Sequence, residues 1–201
     1  TKPEVPAVEN PSAWLGAFMA VLSQKGRDKL TLVTSPAISG FGLWVEQLVA
    51  ESTGKEGLGI VPVAGEPIGS PSHYEDDRLF VYLRLGDDDN NEIDGFVNDI
   101  EASGQPLVRL DLSDAYDISA EFFRWEMANA VAGSVLRINP FDQPNVQAAK
   151  EMTESVLARF QESKELPAME KAGLLSDLLQ MAKPGDYLAI MAYIPESAEV
   201  D

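Results

Sequence analysis

Short, mostly apolar runs bounded by turn residues recur along this chain at positions 30–34, 59–63, 79–85, 107–112 and 187–193. Runs of that length and setting predict strands. The third, LFVYLRL, is the clearest, and Pro62 inside the second marks an edge strand or a strand end. Between these runs the apolar spacing is helical. Trp14, Leu15, Phe18, Val21 and Leu22 share one face, as do Trp44, Val45 and Leu48. The first of these helices opens at Asn10-Pro11, with Asn10 as the cap, and runs to Gly26. The second closes at Gly54, expected as a left-handed cap. Further helices are predicted from the acidic run 87–91, as its cap, to Ser103, over 119–136, from the turn 139–144 to Glu162, and over 168–182.

Strands alternating with helices imply a mostly parallel sheet covered on both faces, a three-layer α/β sandwich. Such sheets commonly receive ligands beyond the carboxyl ends of their strands. The Pro- and Glu-rich residues 1–9 read as an arm, 10–183 as one domain, and 184–201 as a strand and tail where a further unit could begin.

Composition narrows the chemistry. The chain has no cysteine and a single histidine, His73. Disulfides, thiolate nucleophiles and Cys-ligated zinc are thereby excluded, and no metal or cofactor is expected. The net charge of −18 disfavours nucleic acid and anionic membranes as partners. No apolar run of about 18 residues is present, and the first residues lack a signal-peptide pattern, so a cytoplasmic location is expected.

The segment WVEQLVAESTGKEG, 44–57, contains the letters STGK but is not a phosphate loop. That motif needs a glycine where Val49 stands, and it opens a helix instead of closing one. What the segment does carry is Gln47 and Glu51 one turn apart, with Glu51 in the last helical turn. A carboxylate there faces the negative end of the helix dipole, a setting useful to a general base. Taken singly, Asp142 is a candidate helix cap, Lys150 a solvated lysine, His73 a loop histidine and Glu126 a structural helix residue.

Together these segments resemble the phosphoglucose isomerase family. Gln47-Leu-Val-Ala-Glu51-Ser-Thr-Gly-Lys55 resembles the segment that carries that family's catalytic base. Ile138-Asn-Pro-Phe-Asp142-Gln143, followed by Lys150 seven residues after Gln143, resembles its C-terminal signature, and Glu126 falls on a family glutamate. Gly65-Glu66-Pro67 and the seven-residue step from Glu66 to His73 resemble the loop ending in a ring-opening histidine, although the residues between differ. The stretch 116–126 is similar to the bacterial branch in which the isomerase is fused behind a transaldolase.

The resemblance covers about 10–193 and implies the second sugar isomerase (SIS) domain, with a flavodoxin-like sheet. Glu51 would be the base moving a proton between C2 and C1 of an open-chain sugar phosphate. Gln47 and Gln143 would hold substrate, Lys150 would assist ring opening, and His73 would act across a homodimer. Transaldolase and N-terminal SIS domains would complete the protein, and this piece alone would be inactive. Two other readings are a non-catalytic sugar-phosphate-binding SIS module and an acidic interaction domain.

Overall fold

Every predicted strand that falls on described residues is present. The structure, a computed structural model, describes residues 5–165, 173–183, 186 and 188. Four strands, β1 (Lys29–Thr34), β2 (Val61–Ala64), β3 (Arg78–Leu85) and β4 (Leu107–Leu112), form one sheet in the order β2-β1-β3-β4. All three pairings are parallel, with Leu30 opposite Pro62 and Leu79, and Phe80 opposite Leu107. Pro62 lies in the edge strand, where a missing backbone N–H is tolerated. The strand expected over 187–193 lies, Leu188 apart, outside the described residues.

Alternation along β3 sorts the core. Leu79, Val81, Leu83 and Leu85 point to one face, Phe80 and Tyr82 to the other. On the first face pack α1 (Pro11–Ser23), α2 (Ser39–Thr53) and α4 (Ile118–Leu136), through Leu15, Met19, Val45, Val49, Trp125 and Ala132. On the second, α3 (Asn91–Ala102) brings Phe96, Val97 and Ile100 against Phe80, Tyr82 and Tyr74. The result is the three-layer α/β sandwich that the alternating pattern predicts. α1 and α4 approach at the backbone: a Cβ on Gly16 would overlap the Ala128 carbonyl oxygen.

The helix boundaries follow local chemistry. The Asn10 side chain accepts from the N–H groups of Ser12 and Ala13, and Pro11 occupies the first helical position. α4 ends with Arg137 in the left-handed region, φ 62°. Gly54 does not take the left-handed conformation expected of it: its φ is −72°. Glycine is required there by crowding, since a Cβ would meet the Ala50 carbonyl oxygen at 2.8 Å. The positive φ falls later, at Glu56 and Gly57. Asn90, from the acidic run expected to cap α3, makes no side-chain cap bond and turns inward instead.

The chain divides into two units, Thr1–Gln147 and Ala148–Asp201. The sheet and its covering helices belong to the first. α5 (Pro144–Ser163) begins in the first unit and continues into the second, which also holds α6 (Leu175–Met181). Of the helix expected over 168–182, only Leu175–Met181 is helical among the described residues. No helix among them is long and apolar enough to cross a membrane.

Candidate functional site

The topology offers two places for a site, one at each end of the strands. A parallel sheet changes direction of winding between β1 and β3, and ligands commonly enter at the carboxyl ends of that strand pair. Here the chain fills that position itself. Ser35, wholly buried after β1, donates from Oγ to Asn90 Oδ1 at 2.5 Å and accepts from the Leu85 N–H at 2.8 Å. Asn90 Nδ2 donates to the Leu85 carbonyl at 2.7 Å. The Asp88 carboxylate accepts from the Ala37 N–H at 2.8 Å, the kind of amide an anionic ligand would use. Tyr82 donates to Asp94 at 2.9 Å, and burial with that contact pushes its hydroxyl up to about 12. Arg84, bonded to the Asp94 carboxylate, holds that group below its usual range.

The opposite end is open. α2 runs back along the sheet from β1 to the start of β2, so its last turn lies at the amino ends of the strands. Thr53 ties it there, accepting from the Ile60 N–H at 3.0 Å just before β2. α4 runs in the same sense and delivers the turn 138–143 to the same end. Glu51 and Gln143, 92 positions apart in sequence, meet here: Gln143 Nε2 donates to Glu51 Oε1. Ala50, Glu51, Gly54, Lys55, Gln143, Pro144 and Val146 line a hollow of about 150 Å³.

Lys55 is the residue that sequence reasoning undervalued. Its side chain is 6% exposed, although it follows the exposed Glu51 by only four positions. Nζ donates to the Asn139 carbonyl at 2.6 Å, to the Asp142 carbonyl, and to Asp142 Oδ1 at 2.9 Å. An ammonium has three N–H donors, so all of them are used within the chain. Asp142, expected as a helix cap, thus sends a carboxylate oxygen to Lys55. In the sequence the Gly-Lys pair reads as a failed phosphate loop, a helix end and the close of the family-like segment, none of which signals a buried ammonium.

Gln47 is exposed on α2, one turn before Glu51 and on its face. His73 is exposed at the end of a 3-10 turn, Pro71–His73. The next residue, Tyr74, packs on Phe80 and Phe96 on the α3 face, and His73 is not among the residues lining the hollow beside Glu51. Lys150 is exposed on α5 and belongs to the second unit. Glu126 is exposed on α4, whereas Glu121 on that helix is buried, and desolvation raises the proton affinity of its carboxyl. Among the described residues no group of three or more His, Cys, Asp or Glu is placed to hold a metal ion.

A parallel α/β domain with a carboxylate–amide pair at the amino ends of its strands is therefore the class that fold and site define. Comparison with known proteins finds relatives of one named activity. The chain is 29% identical over 195 residues to the glucose-6-phosphate isomerase of Rubrobacter xylanophilus, covering 78% of this chain and 45% of that protein. It is 28% identical to a probable glucose-6-phosphate isomerase of Methanococcus maripaludis, covering 74% and 41%. It is likewise 28% identical to the glucose-6-phosphate isomerase of Enterococcus faecalis, covering 71% and 40%. The chain thus spans less than half the length of these relatives. No family model matches it. A crystal structure of a hypothetical protein from Thermus thermophilus shares the fold, with a TM-score of 0.61 at 17% identity over 77% of this chain and 47% of that one.

Proposed function

We propose that this chain is the base-bearing sugar isomerase domain of a glucose-6-phosphate isomerase, with Glu51 as the base. The observation that carries this reading is the Gln143–Glu51 hydrogen bond. It joins the two segments whose spacing resembles the family's, at one hollow.

The chemistry follows from what isomerisation of glucose 6-phosphate to fructose 6-phosphate requires. A base removes the proton from C2 of the open-chain aldose, electrons shift onto O1 to give a cis-enediolate, a proton passes from O2 to O1, and the carbon-bound proton returns at C1 as the C2 carbonyl forms. One carboxylate can do both carbon transfers, because the two carbons are adjacent. Gln47 and Gln143 would hold substrate hydroxyls, and Lys150 would steady charge developing on oxygen. His73 would open the sugar ring in the site of a second copy, since it is not among the residues lining the hollow beside Glu51 of its own chain.

The hollow also suggests that this chain supplies only part of the site. Its volume of about 150 Å³ is below the roughly 300–1,000 Å³ of ordinary ligand pockets. Lys55 is engaged internally, and Asp88 takes the amide at the other end of the strands, so a phosphate grip has to come from elsewhere. A preceding SIS domain, in a transaldolase fusion, would provide it. The test is a coupled assay with glucose 6-phosphate. The full-length protein is expected to turn over and the 201-residue chain alone is not. Full turnover by a Glu51→Gln variant of the full-length protein would sink the assignment.

A further inference from the structure

Lys55 is the buried lysine among the described residues, in a chain whose net charge is −18. Burying an ammonium is costly unless its donors are satisfied. All three are satisfied by one turn, at Asn139 and Asp142, and the next residue is Gln143. The backbone of Lys55 is pinned as well. Its N–H donates to the Leu58 carbonyl at 3.0 Å, its carbonyl accepts from the Leu58 N–H at 2.9 Å, and Gly54 still donates to Ala50 in α2. The side chain is therefore a strut with one foot at the end of α2 and the other beside Gln143.

The turn has separate anchors at its start. Asn139 Oδ1 accepts from the Phe141 N–H at 3.1 Å, and Pro140 packs so closely on Gly133 that a Cβ there would meet its ring at 2.7 Å. The first bond braces the turn itself, and the Pro140 contact fixes it to α4. Lys55 fixes its far end to α2. We propose that Lys55 is a positioning residue: by gripping the turn it sets the Gln143 amide on Glu51 Oε1, orienting the carboxylate so that proton transfer falls to Oε2. Only the catalytic meaning of this device rests on the isomerase reading. The geometric coupling stands apart from it.

The experiment follows the side-chain amide of Gln143 by proton–nitrogen NMR as pH is varied across the carboxylate range, in the 201-residue chain. The wild-type signal is expected to respond, and to stop responding in Glu51→Gln. In Lys55→Met the core amides of Val45 and Val49 should remain native while the Gln143 response is lost. A wild-type response retained in Lys55→Met overturns the proposal, as does absence of any response in the wild type. Should Lys55→Met fail to fold, Asp142→Ala removes one exposed acceptor of the three, and its Gln143 response must be diminished. An unchanged response there overturns the proposal. In the full-length protein Lys55→Met should lower kcat on the order of 10²-fold with KM nearly constant, as misplacement of a base does. Unchanged kcat overturns the positioning role. Loss of the NMR coupling in a full-length protein that never turns over glucose 6-phosphate supports the strut and removes the isomerase reading instead.

Discussion

The two ends of the sheet are built from similar materials and behave oppositely. At the carboxyl ends, Ser35, Asn90 and Asp88 satisfy one another and the backbone, and the customary ligand crevice is closed. At the amino ends, Glu51 and Gln143 satisfy one another while exposed, beside a hollow. The first arrangement seals polar groups inside, where an unpaired partner is expensive. The second leaves a carboxylate accessible to solvent. Polar side chains at the carboxyl ends are thus committed to the fold, whereas those at the amino ends stay reachable from solvent.

The strongest way to break this contrast is to swap function between the ends. Glu51→Gln in the full-length protein should lower kcat by roughly 10²–10⁴-fold, the usual worth of a general base, with the fold unchanged. Asp88→Asn at the sealed end should leave turnover near wild type. Equal losses in the coupled assay would erase the distinction. Next in size is Lys55→Met. Breaking a buried ion pair costs about 3–5 kcal/mol, and with Asp142 half exposed we expect about 2 kcal/mol in urea unfolding.

The sealed end should respond in stability alone. Asn90→Ala strips partners from Ser35 and the Leu85 carbonyl, and should cost about 1–3 kcal/mol without moving KM. The smallest effect concerns Glu121. Its folded-state carboxyl has a raised proton affinity, chiefly from burial, so the protonated form suits the fold. Its contribution is intact below the ordinary carboxylate range and is lost as pH rises through the raised value. Glu121→Gln should thus raise Tm at neutral pH and change it little in acid. An equal shift at both would show that burial of the charge is not the cause.

Much of this architecture is legible in the sequence. β3 announces itself because its two buried faces leave a five-residue apolar run, Leu79 to Leu83, and Pro62 correctly signals an edge. Asn10-Pro11 fixes the start of α1 through local bonds alone. The pairing of Glu51 with Gln143 could be anticipated from a resemblance, but not from spacing, because 92 residues of intervening chain set it. Lys55 and Asp142 show the same limit: the local pattern offers Asp142 a capping role and gives no sign that its carboxylate meets a buried lysine 87 positions away. Gly54 is a related case. Glycine at a helix end suggests a left-handed turn, whereas here it answers a steric contact with Ala50. The closed carboxyl end was equally hidden, since Ser35 and Asn90 are separated by 55 positions.

The strut of Lys55 bears on how such a chain can diverge. Two of the three acceptors of Lys55 are main-chain oxygens, at Asn139 and Asp142. A carbonyl is present whatever side chain stands at its position. Replacement of either residue over evolutionary time would leave most of the grip in place, while replacement of the lysine would remove all of it. Drift in the turn and constancy at Lys55 is the substitution record that this geometry would leave among descendants of the same gene.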